Sequence, residues 1–270
     1  MALFVLLWGS GAIFTRWGLD HGSPIAFLVL RFGLALIFLT ALRGRRRWLP
    51  APGTGGRVAV AGLLLISGYS LCYFQSMAYG VTPGLLATLL GIQPILTLLL
   101  TERRFSPWRL AGLLLALAGL ALVVWESLAV ARFSLSGILL GLAALGCMTV
   151  GALMQKRIDQ APGQVLPLQY AVSLVLYLLC VPFQPFTIEW TWGLLVPVLW
   201  LGLVISVAAQ LLLYRMIRSG NLVNVTSLFY LVPVVTVLLD YLVLGNALPG
   251  LALAGMAAIL AGLLLVFRRQ

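Results

Sequence analysis

Long apolar segments fill almost the whole chain, and each is bounded by proline, glycine or charged residues. The segments run over residues 2–19, 24–42, 58–79, 82–101, 107–125, 135–155, 165–183, 192–214, 221–244 and 249–267. A helix that crosses a bilayer needs about 20 predominantly apolar residues, so each segment is long enough to span. The pattern predicts an all-α integral membrane fold with ten transmembrane helices.

Composition strengthens this prediction and excludes a soluble fold. Hydrophobic residues make up 62% of the 270-residue chain and charged residues 9%, with a mean hydropathy of +1.11. In a soluble protein the net charge of +11 would suggest a nucleic-acid partner. Here the basic residues lie at the ends of apolar segments, so we expect the lipid bilayer as partner and no nucleic acid.

The basic residues also predict the orientation of the chain. Cytoplasmic loops of membrane proteins carry an excess of Lys and Arg. If the N-terminus is cytoplasmic, 14 of the 17 basic residues fall on that side: Arg43, Arg45, Arg46, Arg47, Arg57, Arg103, Arg104, Arg109, Lys156, Arg157, Arg215, Arg218, Arg268 and Arg269. Arg132 falls on the opposite side, and Arg16 and Arg31 lie within predicted spans. The alternation predicts that both termini are cytoplasmic.

The two halves of the sequence resemble each other. A shift of 139 residues superposes Asp20 on Asp159, Ser67 on Ser206, Met77 on Met216 and Pro94 on Pro233. A shift of 143 lays Gly112 and Gly119 on Gly255 and Gly262. We therefore predict two five-helix repeats, over residues 1–126 and 134–267. Because five is odd, the second repeat is inverted, an arrangement that suits alternating access to a central site.

Several short stretches resemble one family of membrane proteins. They are Leu7-Trp8-Gly9-Ser10, Arg31-Phe32, and the block from Met77 through Gly91 to Gln93-Pro94, followed by Glu102 and a glycine-spaced helix. Residues 216–262 repeat the last block. The sequence is similar to the drug/metabolite transporter superfamily, specifically its EamA-domain family, in which each chain has two domains of five helices. It departs from the family where Asn246 stands at a position that often carries Glu, and Glu102 follows its proline unusually closely.

The resemblance implies a function that the residue pattern alone does not. Members of the family transport small metabolites, commonly exporting amino acids or related compounds across the bacterial inner membrane. We therefore expect a multi-pass protein of that membrane with a small-molecule substrate.

Two ionisable residues lie inside predicted spans, where a charge costs about 2.5 to 3.5 kcal/mol on insertion scales. They are Arg31 in the second span and Asp240 in the ninth, at similar predicted depth. One interpretation gives Arg31 an anion or carboxylate contact and Asp240 a proton-linked role. The other is a structural ion pair or an arginine that extends to the interface.

Polar and aromatic side chains at helical spacing are the second signal. Ser206, Gln210 and Tyr214 share one face of the eighth span, as do Tyr69 and Tyr73 in the third. Together with these, the candidate cavity residues are Trp8, Ser10, Gln75, Thr88, Gln93, Thr226 and Tyr230. Each could instead hydrogen-bond between helices, but as a group they favour a binding cavity.

Pro94 and Pro233 occupy equivalent places in the fourth and ninth spans. A proline inside a helix frees a backbone carbonyl and permits bending. We interpret the pair as kinks that could serve substrate contact or gating, with a purely structural kink as the alternative.

The leading hypothesis is a secondary transporter, with protons as a candidate coupling ion. The alternative is a passive channel or facilitator for small solutes. An enzyme fits worst, because the spans lack a serine and histidine pair, a metal-ligand cluster and a close carboxylate pair. The sequence has no nucleotide-binding loop, so we expect neither ATP hydrolysis nor a cofactor.

Overall fold

The computed structural model describes residues 1–43, 50–129, 134–239 and 249–268. These residues form helices joined by short loops, with one isolated bridge between Gly22 and Ile188 in β geometry. Ten apolar helices follow one another among them: α1 Ala2–Leu19, α2 Pro24–Leu42, α3 Gly55–Ala78, α4 Pro83–Thr101, α5 Pro107–Val123, α6 Leu135–Lys156, α7 Pro162–Phe183, α8 Trp192–Ser219, α9 Leu222–Leu238 and α10 Gly250–Phe267. A short helical segment, Trp125–Ala129, follows α5.

Eight of the described helices are long and apolar enough to cross a membrane, and α5 and α9 are shorter apolar helices. This confirms the prediction of a helical membrane protein. The number of spans and the side on which the termini lie stay predictions.

Several helix ends differ from those predicted by the apolar pattern, and α7 and α8 show two of the causes. The pattern ends α8 at residue 214, but the helix continues to Ser219 through the turn that carries Arg215 and Arg218. Polar side chains at an aqueous end do not interrupt backbone hydrogen bonding, so the helix stops only where Gly220 adopts an extended conformation. α7 begins at Pro162 rather than residue 165, because proline is well suited to the first helical turn.

Helices α5 and α10, one from each half of the chain, approach each other closely at two glycine pairs. A Cβ added to Gly119 would lie 2.6 Å from the Gly255 carbonyl oxygen, and one added to Gly112 would lie 2.6 Å from that of Gly262. Small residues allow such contact between membrane helices. Gly112 contacts the counterpart of Gly119, and Gly119 contacts the counterpart of Gly112. This reciprocity is the contact pattern of a two-fold relation. The repeat limits stay a prediction.

Helices α3 and α8 both contain π-helical segments at equivalent places, Leu63–Gly68 and Trp200–Ala209. Such segments interrupt the regular pairing of backbone groups. Two buried tyrosines of α7 supply donors there: Tyr177 Oη donates to the Ser67 carbonyl at 3.2 Å, and Tyr170 Oη donates to the Ser206 carbonyl. The carbonyls of Ser67 and Ser206, which are equivalent in the two halves, therefore both accept hydrogen bonds from tyrosines of α7.

Helices α4 and α9 are also irregular at equivalent places. α4 consists of Pro83–Leu90 and Gln93–Thr101, separated by a turn, and α9 contains a 3-10 segment, Leu228–Tyr230. Tyr230 Oη donates to the Gly91 carbonyl at the break in α4, over 2.6 Å. Pro94 and Pro233 follow these irregular turns, and their role as kinks stays a prediction.

The glycine contact predicts a stability difference between two single-atom additions. Gly119→Ala places a methyl group against a backbone oxygen that cannot move aside cheaply, so we expect a loss of about 1–3 kcal/mol. Gly146 is the matched control, because it is exposed on α6 and its added Cβ meets nothing within 4 Å. Thermal denaturation in detergent should show a lower midpoint for Gly119→Ala alone. Equal midpoints for the two variants would refute the close crossing.

Candidate functional site

A cavity of about 210 Å³ lies between the helices. Residues of eight described helices, α1 to α6, α8 and α9, line it. Most of the lining is apolar, and the polar members are Thr15, Arg31, Tyr69, Ser70, Tyr73, Gln93 and Thr236. An apolar pocket with a few polar groups is the usual form of a small-molecule site.

The cavity lies towards one end of the bundle. Its lining includes Gly11 and Thr15 from the second half of α1, and Arg31 from the first half of α2. Pro83 begins α4, and Val124 directly follows α5. These positions share the end at which α1 and α5 finish and α2 and α4 begin. In the predicted orientation this end faces away from the cytoplasm.

Arg31 carries the positive charge of the cavity lining. Its Nε donates to Ser206 Oγ at 2.8 Å, and its guanidinium carbon lies 5.0 Å from the centre of the Phe32 ring. In the described part of the chain, no carboxylate forms an ion pair with it, and its Nη atoms have no hydrogen-bond partner. Asp240 lies outside the described residues, so the predicted pairing with Arg31 stays a prediction.

Aromatic rings form two walls of the cavity. Tyr69 and Tyr73 pack with ring centroids 5.6 Å apart on α3. On the other wall Trp8 meets Phe229 edge to face at 5.5 Å. Such rings give a ligand large, rigid apolar contacts, and tyrosine adds a hydroxyl.

Six of the residues predicted from the sequence line this cavity: Trp8, Arg31, Tyr69, Tyr73, Gln93 and Pro233. Gln93 begins the second segment of α4 and is buried. Pro94 is buried beside it and is not in the lining. Whether the lining residues bind a substrate stays a prediction.

The predicted face of α8 points elsewhere. Ser206 and Gln210 line a second, much smaller void of about 30 Å³ that also touches Trp8 and Arg31. Tyr214 lines neither space, because its Oη donates to Gln169 Oε1 at 2.8 Å. Ser206 therefore does not line the main cavity, but it hydrogen-bonds to Arg31, which does.

The remaining candidates hydrogen-bond within or between helices in this conformation. Ser10 Oγ donates to the Leu7 carbonyl and accepts from Trp200 Nε1, and Gln75 Nε2 donates to Gln184 Oε1. The hydroxyls of Thr88 and Thr226 donate to carbonyls of their own helices, and that of Tyr230 to the Gly91 carbonyl. None of the five belongs to the lining of the main cavity.

Sequence reasoning missed most of the lining, including Thr15, Phe229 and Thr236. Thr236 Oγ1 donates to the Gly9 carbonyl at 2.9 Å and so joins α9 to α1. Single apolar or hydroxyl residues in a membrane helix carry little signal by themselves. The two helices α4 and α9 occupy equivalent places in the two halves, and both line the cavity. That equivalence could have indicated that α9, like α4, contributes lining residues.

A polar cluster joins α4, α5 and α9 at the opposite end of the bundle. Arg109 Nη1 donates to Glu102 Oε1 at 2.5 Å, and Nη2 donates to Asn221 Oδ1 at 2.9 Å and Asn224 Oδ1 at 2.7 Å. Arg109 Nε is buried without a partner among the described residues. Sequence reasoning did not anticipate this cluster, because its members lie on separate segments.

Further contacts tie the same end together. Lys156 Nζ donates to the carbonyls of Arg218 at 3.1 Å and Gly220 at 2.7 Å. Gln160 Nε2 donates to Thr54 Oγ1 at 2.9 Å and so bridges the two halves of the chain. This end is thus bonded by side chains from α5, α6, α9 and neighbouring loops, whereas the cavity extends towards the other end.

The fold and the cavity define a multi-pass helical membrane protein with space for a small molecule. The profile of the EamA-like transporter family matches residues 1–125 and again residues 135–268. The chain therefore belongs to the EamA-like transporter family, which confirms the resemblance drawn from its motifs. It is a membrane transporter of that family, and a small-molecule substrate and the lipid bilayer are its implied partners.

Curated relatives align along almost the whole chain. A Salmonella typhimurium protein named "Probable amino-acid metabolite efflux pump" is 27% identical over 97% of this chain and 91% of its own. An Escherichia coli protein of the same name is 25% identical over 97% and 91%. An uncharacterized Bacillus subtilis transporter is 25% identical over 98% and 90%.

A solved structure titled "Crystal structure of protein" matches with a TM-score of 0.82 and 21% identity, covering 99% of this chain and 96% of that one. At that identity the match supports the fold alone. Within the described residues, no group of three or more His, Cys, Asp or Glu side chains could hold a metal ion.

The Tyr230 contact predicts the effect of removing one hydroxyl. Tyr230→Phe leaves the Gly91 carbonyl without this donor, so we expect a loss of about 0.5–1.5 kcal/mol. The matched control is Tyr79→Phe, since the Tyr79 side chain is exposed. Thermal denaturation of both variants in detergent provides the comparison. A midpoint for Tyr230→Phe equal to that of the control would contradict the contact.

Proposed function

We propose that this protein is a secondary transporter that moves a small metabolite, such as an amino acid or a similar amphipathic compound, by alternating access through the central cavity. The direction is export across a bacterial inner membrane. The observation that carries the proposal is the asymmetry of the bundle: a ligand-sized cavity at one end and side-chain closure at the other.

The size and lining of the cavity support a small substrate. Sites for drug-sized ligands span about 300 to 1,000 Å³, and this cavity of 210 Å³ is smaller. The efflux pumps named among the relatives are described as acting on amino-acid metabolites. An amino acid or a compound of similar size matches both observations.

The irregular helices provide places at which the bundle could change shape. α4 and α9 line the cavity, and each is interrupted close to the lining, at Gly91–Ile92 and at Leu228–Tyr230. Below the interruptions, both helices reach the Arg109 cluster through Glu102 and Asn224. Bending at these turns would let the closed end, which the Arg109 cluster bonds together, open without disturbing the contact between α5 and α10. Inverted repeats can exchange conformations in this way.

A passive channel or facilitator is the second candidate function. It requires a path open to both sides at once, and the hydrogen bonds that join the helices at the Arg109 end oppose such a path in this conformation. Protons are the candidate coupling ion of the transporter, and dependence of flux on a pH gradient is the corresponding measurement.

Access to the cavity from each side of the membrane tests alternating access. Gly11 lines the cavity and has open space around its Cβ position, so Gly11→Cys is a suitable reporter after Cys72, Cys147 and Cys180 are replaced by Ala. In right-side-out and inverted membrane vesicles, we expect an impermeant maleimide to label it faster from the non-cytoplasmic side. Equal labelling from both sides would favour the channel.

Weakening the contacts of the Arg109 cluster should increase maleimide labelling of Gly11→Cys from the cytoplasmic side. Glu102→Gln removes the charge that Arg109 binds, a contact of about 1.5–3 kcal/mol, so we expect labelling from the cytoplasmic side to rise about tenfold or more. Glu126→Gln is the matched control, because Glu126 is exposed and lies outside the cluster. No change for Glu102→Gln relative to the control would contradict a gating role for the cluster.

A further inference from the structure

We propose that the cavity selects its substrate by a carboxylate group, with Arg31 as the binding residue and Ser206 as the residue that positions it. The substrate class is a small amphipathic monocarboxylate, whether or not it also carries an ammonium group. This inference rests on the proposed function and names the chemistry that the same site recognises.

The first argument is charge. A guanidinium within the membrane interior is costly unless it is paired, and such residues usually mark substrate pathways. The described hydrogen-bond partner of Arg31 is the neutral hydroxyl of Ser206, and its guanidinium carbon lies 5.0 Å from the centre of the Phe32 ring. No described acidic side chain lines the cavity. An anionic ligand would supply the compensating charge.

The second argument is geometry. Ser206 accepts from Nε, so the edge of the guanidinium that remains free is formed by Nη1 and Nη2. These two parallel donors match the two oxygens of a carboxylate. Ser206 is itself held from α7, because Tyr170 Oη donates to its carbonyl and the Tyr170 ring packs edge to face on Phe32 at 5.2 Å. The orientation of the guanidinium is therefore fixed before a ligand arrives.

The third argument is the remaining lining. Tyr69 and Tyr73 on one wall, and Trp8 and Phe229 on the other, provide apolar surface for the body of the ligand. One described cation serves a single negative charge, which favours a monocarboxylate over a dianion. No described acidic side chain lines the cavity, so the site has no negative charge with which to bind an ammonium group. An organic cation is therefore the disfavoured class of ligand.

Matched ligand pairs test this selection on the purified protein in detergent. The probes are 4-methylpentanoate with 4-methylpentanamide, and leucine with leucinamide, measured by isothermal titration calorimetry. Each pair differs at the carboxyl group and keeps the same apolar body. We expect both acids to bind at least tenfold more tightly than their amides, because the amides forfeit a charge-assisted bidentate contact.

Variants at Arg31 identify the residue responsible. Arg31→Gln should abolish the preference for acids, and Arg31→Lys should retain part of it, because a lysine keeps the charge without the fork. Ser206→Ala should weaken acid binding while leaving the charge in place. Arg16→Gln is the matched control, since Arg16 is exposed and pairs with Asp20 outside the cavity, and it should bind like the parent. Thermal denaturation of each variant without ligand confirms that it is folded.

The outcomes separate this inference from the proposed function. Amides that bind as tightly as acids, or acid preference that survives in folded Arg31→Gln, would overturn carboxylate selection. So would the absence of saturable binding by both acids. If these failures occurred while Gly11→Cys still showed one-sided labelling, alternating access would stand and only the substrate class would fall.

Discussion

The hydrocarbon interior offers no water, so a buried polar group of this protein is costly unless it finds a partner inside the bundle. Helices satisfy most backbone groups by themselves, but α3, α4, α8 and α9 are each interrupted. Three buried tyrosines donate to carbonyls at these places: Tyr170 and Tyr177 from α7, and Tyr230 from α9. The irregular turns around the cavity can exist because these donors stabilise them.

The same constraint explains the two arginine sites. Arg109 lies at the closed end with a carboxylate and two amide oxygens around it, which lock α5 to α4 and α9. Arg31 lies at the cavity, and its described partner is one hydroxyl. One guanidinium therefore holds the protein together, whereas the other retains free donors in a place that a ligand can reach. The contrast distinguishes the end bonded by Arg109 from the end at which we propose that the substrate binds.

Much of the helical architecture was predictable because it depends on local hydrophobicity. The predicted start of α2 at residue 24 and of α6 at residue 135 agree with the structure. Trp8, Arg31, Tyr73 and Gln93 were also predictable as lining residues, since polar and aromatic groups stand out in an apolar helix. The glycine spacing of α5 and α10 was visible in the sequence, but it did not show that the two helices pack on each other.

The closed end was not predictable, because its contacts join residues far apart along the chain. Arg109 and Asn224 are 115 residues apart, and Gln160 and Thr54 are 106 apart. The π-helical segments likewise leave no mark in the hydrophobic pattern, since a change in backbone pairing does not change side-chain polarity. Tyr214 and Thr226 were predicted to line the cavity and do not line it in this conformation, for a different reason. A polar residue at helical spacing can hydrogen-bond to a neighbouring helix, as Tyr214 does, or to its own backbone, as Thr226 does, instead of facing a cavity.

The central claim is that one cavity is exposed to the two sides of the membrane in turn, and counterflow tests it most directly. Purified protein is reconstituted in liposomes loaded with an unlabelled carboxylate that binds in calorimetry, and the same compound with a radiolabel is added outside at low concentration. A carrier must accumulate the label transiently above its equilibrium level. The unlabelled compound inside occupies the site as it returns to the outer surface, and so it keeps the labelled compound from leaving. We expect such an overshoot, and we expect it to saturate. Flux that rises in proportion to concentration and shows no overshoot would contradict alternating access and identify a channel.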